Sequence, residues 1–271
     1  MTTLEEKQER LENGLAAFPS LLVAFSGGVD STLLAAVAHR VLGDRMMAVT
    51  ARSTLHTRRE LQMASDIAAA QGFRHEVVDS CEMALPTFLR NGPNRCYHCK
   101  KALLTQLRGL ADCLGFDDIA HGANLDDDDD ERPGMTAAVQ LGVHAPLRDA
   151  GLNKTDVRRM ARSLGLPNWN LPANACLATR VPGGMRLTPE LLATIGEAEA
   201  FIRSMGIDAL RVRHHGEIAR IEADPADWHR LLSEDQRRAV VDHLHAMGYR
   251  YVTLDLAGYQ RGSMNRRRAD G

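Results

Sequence analysis

The sequence lacks any apolar run of about 18 residues, the minimum for a membrane-spanning helix. Its opening residues, MTTLEEKQER, also lack the apolar segment of a signal peptide. We therefore expect a cytoplasmic protein. The formal net charge of -2 at pH 7 provides no overall field that would attract a polyanion. This weak charge disfavours a dedicated nucleic-acid binder and favours a small anionic substrate.

Apolar runs of strand length alternate with stretches of helical periodicity through the first part of the chain. The first run, Leu21 to Phe25, stops at Gly27 and Gly28, which is typical of a buried strand entering a tight loop. Further strands are predicted at Met46 to Thr50, His75 to Val78 and Asp118 to His121, with helices at Thr32 to Leu42, Arg58 to Gln71 and Lys100 to Leu114. Because strands and helices alternate, the sheet should be mostly parallel.

The alternation fades after Leu166, where prolines and glycines punctuate the chain before a helix that Thr188 can cap. Beyond this point the pattern predicts a helix to about Met205, another from Glu234 to Met247, and strands at Leu210 to Arg213, Ile218 to Glu222 and Tyr249 to Leu254. The predicted fold class is α/β, with a parallel-sheet domain over residues 1–168 and a smaller C-terminal α+β domain over residues 169–271.

The segment SGGVDS, from Ser26 to Ser31, lies where backbone N–H groups at a helix N-terminus can hold a phosphate. Gly27 and Gly28 permit close approach of phosphate oxygens, and the two serines add hydroxyl donors. Asp30 beside a polyphosphate makes sense if a Mg²⁺ ion lies between them. The missing lysine excludes a Walker A loop. The segment resembles the PP-loop of ATP pyrophosphatases, which cleave ATP between the α and β phosphates, and implies an adenine nucleotide alpha hydrolase-like fold.

Two further segments should lie at the carboxyl edge of the sheet, where parallel α/β proteins bind ligands. The candidate nucleotide-binding residues that follow the second and fourth strands are Arg52, Ser53, Gly122 and Asn124. In PP-loop enzymes an equivalent Gly-x-Asn-x-Asp-Asp loop lies near ATP and metal, so the resemblance implies Asp127 as a second magnesium ligand. The acidic residues at 128–130 are interpreted as a solvated extension.

One CxxC pair, Cys96 and Cys99, brings two thiols within a helical turn, a spacing suited to a metal centre or a redox pair. No second CxxC completes a four-ligand zinc site, although His98 or another histidine would serve as a further ligand. Cys176 offers a third thiolate. Three cysteines with one open position suit an iron–sulfur cluster that binds an extra sulfur.

Cys176 lies in a polar segment bounded by prolines, close to Arg180. A nearby cation favours the thiolate, which is the nucleophilic form. We therefore interpret Cys176 as the residue that handles sulfur, with Arg180 as its catalytic partner. The remaining cysteines, Cys81 and Cys113, are interpreted as ordinary structural thiols.

Arg211, Arg213 and His215 should share one face of a strand in the second domain, because side chains alternate along a strand. Converging guanidinium groups suit a phosphate or a carboxylate. A solvated basic face is the competing interpretation. The arginines at 266–268 are interpreted as a solvated tail.

Taken together, several motifs resemble the LarE-type ATP-dependent sulfur transferases along nearly the whole chain. The motifs are SGGVDS, RCYHCK, HGANLDD, RPG before a helix, PLRDAGLNKTDVR, CLATRVP, LRVRHHGEIARIE and YVTLDLAGYQRGSMN. SGGVDS alone is also compatible with tRNA thiolases, NAD synthetase or GMP synthetase. The CLATR and RVRHHGEIARIE segments together are more selective.

The resemblance implies adenylylation of a carboxylate of a pyridinium dicarboxylate mononucleotide, whose phosphate Arg211 and Arg213 would hold. Sulfur then replaces a carboxyl oxygen, in biosynthesis of the nickel-pincer nucleotide cofactor of lactate racemase. In family members with one such cysteine, that residue gives up its own sulfur. Members with three are expected to use an iron–sulfur cluster instead, and Cys96, Cys99 and Cys176 match their pattern, with an expected cluster of four irons. Both sulfur sources, the cluster and Cys176 itself, stay open. Family members often form hexamers, so a homo-oligomer is expected, with no membrane or nucleic-acid partner.

Two other functions compete with this interpretation. A PP-loop tRNA thiolase would adenylylate a base, and predicts a basic RNA-binding face that the weak net charge disfavours. A regulator that senses ATP or iron through CxxC without turnover would release no pyrophosphate from Mg-ATP and substrate.

Overall fold

A computed structural model of the protein describes residues 2–127, 133–171 and 175–260. The chain divides into two compact units. The first comprises Met1–Phe88 and Pro93–Asn174, and the second comprises Leu89–Gly92 and Ala175–Gly271. The predicted boundary at residues 168 and 169 cuts the chain once, whereas the second unit also takes in a short segment from within the first.

Four parallel strands in the order β3-β2-β1-β4 form the sheet of the first unit. The strands are β1 (Leu21–Ala24), β2 (Met46–Arg52), β3 (His75–Asp79) and β4 (Asp118–His121). In the register, Ala24 pairs with Val49 on one side and with His121 on the other. The loops that follow β1, β2 and β4 therefore leave the sheet at the same edge, as the sequence predicted.

Eight helices accompany this sheet within the described residues, and several begin at a side-chain cap. Thr3, Thr57 and Asn153 each accept a backbone N–H of the first turn, which satisfies donors that have no partner within the helix. The helices are α1 (Leu4–Ala16), α2 (Val29–Leu42), α3 (Arg58–Gln71), α4 (Pro86–Leu89), α5 (Arg95–Leu114), α6 (Pro133–Gln140), α7 (Pro146–Asp149) and α8 (Lys154–Ser163).

The sheet separates two apolar cores because successive side chains of a strand point to opposite faces. Val23 packs with buried residues of α1, α2 and α8, among them Leu15 and Val157. Leu22 packs on the other face with Leu104 of α5. The three-layer arrangement confirms the predicted α/β fold with a parallel sheet.

The second unit contains a three-stranded mixed sheet in the order β5-β6-β7. The antiparallel pair is β5 (Leu210–His215) and β6 (Ile218–Ala223), and the parallel edge strand is β7 (Tyr251–Leu254). Its helices are α9 (Pro189–Ser204), α10 (Trp228–Leu231) and α11 (Glu234–Ala246). A separate apolar core includes Ile202, Val212 and Leu244.

Asn91 explains why the short segment Leu89–Gly92 belongs to the second unit. Its backbone has φ of 53°, a left-handed conformation that asparagine adopts more readily than most residues. Its side-chain amide donates to the carbonyl oxygen of Pro182 at 2.8 Å, and its own carbonyl accepts from Gly184 N at 2.9 Å.

Two helices begin earlier in the structure than the sequence pattern predicts. α2 starts at Val29 rather than Thr32, and α5 starts at Arg95 rather than Lys100. The polar first turns lack the apolar spacing on which the predictions relied. As a result Asp30 lies in the first turn of α2, and the CxxC pair lies at the start of α5. Among the described helices, none combines the length and apolar character needed to cross a membrane.

Candidate active site

The phosphate loop joins β1 to α2, and the first turn of α2 has donors available to an anion. Gly28 is the N-cap residue and provides no side-chain hydrogen bond to the turn. The Ser31 hydroxyl donates to the Gly28 carbonyl oxygen at 3.0 Å and accepts from Ser26 N at 3.2 Å. Ser26 and Gly28 are exposed. The arrangement presents backbone N–H groups at the positive end of a helix dipole, which stabilises phosphate.

Two glycines allow the neighbouring backbone to pack closely around this loop. Gly27 has φ of 70°, and a Cβ atom there would lie 3.0 Å from the Ala64 Cβ of α3. A Cβ atom on Gly122 would lie 2.8 Å from Ser31 N. The loop after β4 therefore contacts the start of α2 directly, which requires glycine at position 122.

Asn124 connects the two predicted magnesium ligands. Its side-chain amide donates to Asp30 Oδ1 at 3.0 Å, and its backbone N–H donates to Asp127 Oδ2 at 3.1 Å. Lys154, at the start of α8, forms an ion pair with the other Asp30 oxygen. Carboxylate oxygens are the protein ligands that Mg²⁺ prefers, and phosphates complete its coordination in nucleotide sites. The donor set around Asn124 therefore fits a magnesium ion that accompanies ATP.

His121 ends β4 and lies beside Lys100 of α5. The Lys100 Nζ and His121 Nδ1 atoms are 3.3 Å apart. Burial, followed by the charges of Lys100 and Arg148, lowers the pKa of His121 to about 3. The ring is therefore neutral near pH 7. Nδ1 accepts from the lysine ammonium, so the ring proton is on Nε2.

Arg52 and Ser53 lie at the sheet edge with partners of their own. Arg52 forms an exposed bidentate ion pair with Asp79, at 2.6 Å and 3.0 Å. The hydrogen bond and charge of Asp79 raise the pKa of Arg52. The Ser53 hydroxyl donates to the buried carboxylate of Glu82 and accepts from Leu55 N at 3.0 Å. Their role in nucleotide binding stays a prediction.

The CxxC pair lies at the start of α5, with Cys96 and Cys99 as its second and fifth residues. All five cysteines lie in described parts of the chain, and each is a thiol rather than half of a disulfide. Cys96 is exposed and Cys99 is partly buried, and their i, i+3 spacing places them on the same side of the helix. Among the described residues, no group of three His, Cys, Asp or Glu side chains is arranged to hold a metal. Cys81 and Cys113 are exposed.

Cys176, in the second unit, precedes a short 3-10 turn at Leu177–Arg180, and Arg180 holds its backbone. The Arg180 Nη1 atom donates to the carbonyl oxygens of Ala175 at 2.6 Å and Cys176 at 3.2 Å. The other guanidinium edge pairs with Glu199 at 2.8 Å and 3.2 Å. These contacts show that Arg180 orders the backbone that carries Cys176, and its role as catalytic partner of the thiol stays a prediction.

Arg211 and Arg213 are buried on one face of β5, as the alternation along the strand predicted. Arg213 Nη2 pairs with Glu222 Oε2 at 2.7 Å. The Arg211 guanidinium lies 5.1 Å from the ring centre of Tyr259. Burial, followed by the charge of Arg180, lowers the pKa of Arg211. Positive charge is therefore crowded on this face, and a bound anion would relieve the repulsion.

Glu199 is fully buried and organises this basic face from α9. Besides Arg180, it accepts from Arg203 Nη2 at 2.7 Å and from Val212 N at 3.1 Å. Burial raises the pKa of Glu199, but the hydrogen bond and charge of Arg180 and the charges of Arg203 and Arg211 lower it overall. Sequence reasoning missed Glu199 as a residue of this site. Its position on the apolar face of α9, beside Ala198 and Ile202, was the signal of burial.

Lys154 and Lys100 are site residues that sequence reasoning left without a role. Lys154 stands in the motif GLNKTDVR, and Lys100 follows the CxxC pair directly. Each is an ordinary surface residue by sequence pattern. Their proximity to Asp30 and His121 depends on the packing of α8 and α5 against the sheet, which no local pattern specifies.

Comparison with known proteins gives first the class and then the family. The family model described as asparagine synthase matches residues 8–89, which include the phosphate loop. One component of the glutamine-hydrolyzing GMP synthase of Thermococcus kodakarensis is 27% identical over 73% of this chain and 67% of its own length. These matches agree with a PP-loop nucleotide-binding unit.

Two relatives match almost from end to end. An uncharacterized protein of Synechocystis is 41% identical over 97% of this chain and 98% of its own length. The pyridinium-3,5-bisthiocarboxylic acid mononucleotide synthase of Lactiplantibacillus plantarum is 37% identical over 98% of this chain and 96% of its own length. The chain belongs to the family of this synthase, the LarE-type ATP-dependent sulfur transferases, and the resemblance of its motifs is confirmed.

We predict that Glu199→Ala destabilises the second unit by roughly 3–5 kcal/mol, because removing one partner leaves buried guanidinium groups without their carboxylate. The exposed Glu197 on the same helix provides the control, and Glu197→Ala should change stability by less than about 0.5 kcal/mol. Urea unfolding followed by Trp228 fluorescence in a Trp169→Phe background measures both.

The same carboxylate predicts a pH dependence. The folded protein holds the pKa of Glu199 below about 4.3, the ordinary pKa of glutamate, so the ionised carboxylate stabilises the fold above that pH. This stability is lost as pH falls through the lower pKa of the folded state. Glu199→Ala should remove this part of the acid sensitivity. An unchanged acid profile in the variant would show that Glu199 is not its source.

Proposed function

We propose that this enzyme uses ATP to activate a carboxylate of a pyridinium dicarboxylate mononucleotide and then replaces a carboxyl oxygen with sulfur. The product would serve the nickel-pincer nucleotide cofactor of lactate racemase. The observation that carries the proposal is a phosphate loop without a side-chain cap, next to two carboxylates, Asp30 and Asp127, that both accept hydrogen bonds from Asn124. The substrate is taken from the name of the Lactiplantibacillus plantarum relative.

The first step is adenylylation. A substrate carboxylate oxygen attacks the α phosphorus of ATP, and the bond from that phosphorus to the bridging oxygen breaks, with its electrons leaving on pyrophosphate. Backbone N–H groups of the phosphate loop after Ser26 and of the first turn of α2 would hold the phosphates. A magnesium ion on Asp30 and Asp127 would neutralise the negative charge of the leaving group. Lys154 orients Asp30 through their ion pair.

The second unit would bind the substrate through its phosphate. Arg211 and Arg213 present buried guanidinium groups on one strand face, where burial, followed by the charge of Arg180, lowers the pKa of Arg211. A phosphate monoester carries about -1.5 to -2 charges near pH 7, which suits such a face. Arginine also matches phosphate geometry with two parallel hydrogen bonds.

Sulfur arrives in the second step. A sulfur nucleophile attacks the acyl carbon of the mixed anhydride, and AMP leaves with the electrons of the broken C–O bond. If the sulfur belongs to Cys176, the product is a thioester; removal of the Cys176 Cα proton then breaks the Cβ–S bond, the thiocarboxylate leaves with the electrons of that bond, and Cys176 becomes dehydroalanine. Arg180 would hold the Cys176 backbone during this step.

The alternative sulfur source is an iron–sulfur cluster on Cys96, Cys99 and Cys176. Thiolates are the usual ligands of such clusters, so the donor chemistry fits, and the cluster would supply a replaceable sulfur. Cys96 and Cys99 are displayed on one turn of α5, and Cys176 lies at a turn of the second unit. The expectations of a cytoplasmic location and of a homo-oligomer are part of this proposal.

Loss of phosphate recognition tests the substrate assignment. Wild-type enzyme with Mg-ATP should release pyrophosphate with the pyridinium dicarboxylate mononucleotide and much more weakly with the matching nucleoside. Arg211→Gln should raise KM for the mononucleotide at least about tenfold, because a charged hydrogen bond contributes roughly 1.5–3 kcal/mol. The exposed Arg238 provides the control, since Arg238→Gln alters a surface pair on α11.

Equal rates with nucleoside and mononucleotide would contradict the substrate assignment. Stimulation of pyrophosphate release by tRNA, with none by the mononucleotide, would instead favour a tRNA thiolase.

Metal analysis separates the two sulfur sources. Protein purified without oxygen should contain iron and acid-labile sulfide, and Cys96→Ala, Cys99→Ala and Cys176→Ala should each lose them. Cys81→Ala and Cys113→Ala are matched controls, since both side chains are exposed thiols elsewhere on the chain. Protein that stays free of iron after anaerobic reconstitution would contradict the cluster. A mass loss of about 34 Da at Cys176 after turnover would then identify the sacrificed sulfur, as the balance of the β-elimination requires.

A further inference from the structure

We propose that Asn168 is a positioning residue for ATP, because its carboxamide fixes the peptide between Gly27 and Gly28 so that the Gly28 N–H faces the phosphates. The inference rests on the proposed function in one respect, the binding of ATP at the phosphate loop. Asn168 lies in the turn after α8, 141 residues from Gly27 along the chain.

The Asn168 side chain makes two buried hydrogen bonds to the start of α2. Its Nδ2 atom donates to the Gly27 carbonyl oxygen at 2.7 Å and to Thr32 Oγ1 at 2.8 Å. The residue is 2% exposed. A side chain from outside the loop and helix therefore ties the loop to the first turn of α2.

Peptide geometry turns this contact into a constraint on the phosphate site. In a trans peptide, the carbonyl of one residue and the N–H of the next lie in the same plane and point in opposite directions within it. The Gly27 carbonyl points into the protein toward Asn168, so the Gly28 N–H points outward, where it makes a long contact of 3.4 Å to the hydroxyl oxygen of the exposed Ser26. Gly28 is exposed whereas Gly27 is buried, which agrees with this orientation. Without the constraint, a glycine pair has many other peptide orientations available.

The Oδ1 atom of Asn168 indicates that this side chain does more than stabilise the fold. Both hydrogen-bond acceptors lie on the amide nitrogen side, so the Asn168 Oδ1 atom must face away from them. Oδ1 is buried, and within the described residues it has no hydrogen-bond partner. A buried acceptor without a partner is destabilising. The Asn168 side chain therefore retains an unfavourable arrangement at Oδ1 while its Nδ2 atom fixes the phosphate loop.

Ala64 of α3 restrains the loop from another direction. The space beside Gly27 is so narrow that a Cβ atom would lie 3.1 Å from Ala64 Cα. The loop is therefore held by a steric contact at the Gly27 Cα and by a hydrogen bond at the Gly27 carbonyl. Both constraints fix the direction of the next N–H group.

Asn168→Asp tests the inference with almost no change in shape. The variant replaces two N–H donors with a carboxylate oxygen that faces the Gly27 carbonyl. We expect affinity for Mg-ATP to fall about tenfold or more, while affinity for adenosine, which has no phosphate, stays within about twofold. Equilibrium dialysis with radiolabelled ATP and adenosine measures the two affinities.

Thr32→Val and Leu15→Ala complete the set. Thr32→Val removes the second acceptor of Asn168 and keeps the bond to Gly27, so a smaller loss of ATP affinity is expected. Leu15→Ala removes a buried apolar side chain of α1 that takes no part in these hydrogen bonds, and should destabilise the first unit without changing the ratio of ATP to adenosine affinity. Equal loss of both affinities in Asn168→Asp, or loss of neither, would overturn the positioning role.

Hydrogen exchange in the ligand-free protein provides a measurement that needs no ATP. Peptides covering residues 26–32 should exchange faster in Asn168→Asp than in wild type, whereas peptides of α1 should not change. Unchanged exchange at the loop would overturn the inference even where nucleotide affinity is altered. Failure of wild-type protein to bind ATP would instead contradict the proposed function, so the two failures are distinguishable.

Discussion

The structure depends on one constraint, which is that backbone N–H groups at the start of α2 must stay uncovered while the loop before them is rigid. α1, α3 and α8 of this unit begin with a capping side chain, whereas Gly28 leaves the first turn of α2 to a ligand. Rigidity then has to come from elsewhere. It comes from close packing at Gly27 and Gly122 and from the buried amide of Asn168. An anion bound there meets donors that are already oriented, which lowers the entropy cost of binding.

The two units have clusters of opposite charge at their candidate binding sites. In the first unit, the acidic Asp30 lies where phosphate is expected, and Lys154 and Asn124 occupy its two oxygens. In the second unit, guanidinium groups are crowded on the buried face of β5, and Glu199 compensates part of their charge. A carboxylate beside a phosphate is repelled unless a cation lies between them, and a bound anion reduces the repulsion between crowded arginines. The proposed ligands, Mg-ATP and a phosphorylated substrate, would meet these two requirements.

Sequence patterns predicted the elements whose side chains or backbone act locally. Apolar strands ending in glycine predicted the parallel sheet and its phosphate loop, and alternation along β5 predicted the shared face of Arg211 and Arg213. Patterns could not predict contacts that depend on how distant segments pack. Asn168 reaches the loop from a turn after α8, and Lys154 reaches Asp30 from the start of α8, although each looks like an ordinary polar residue in the sequence. The start of α5 was placed too late for a related reason, since its first turn carries thiols and a histidine instead of an apolar stripe.

The central claim is that this chain cleaves ATP between the α and β phosphates to activate a carboxylate. Phosphorus NMR of the products formed from Mg-ATP and the pyridinium dicarboxylate mononucleotide tests it most directly. Substrate labelled with oxygen-18 in its carboxyl groups should transfer one labelled oxygen to the AMP that is released. The account predicts AMP carrying that label together with pyrophosphate. Formation of ADP and inorganic phosphate, or of AMP without the label, would contradict it.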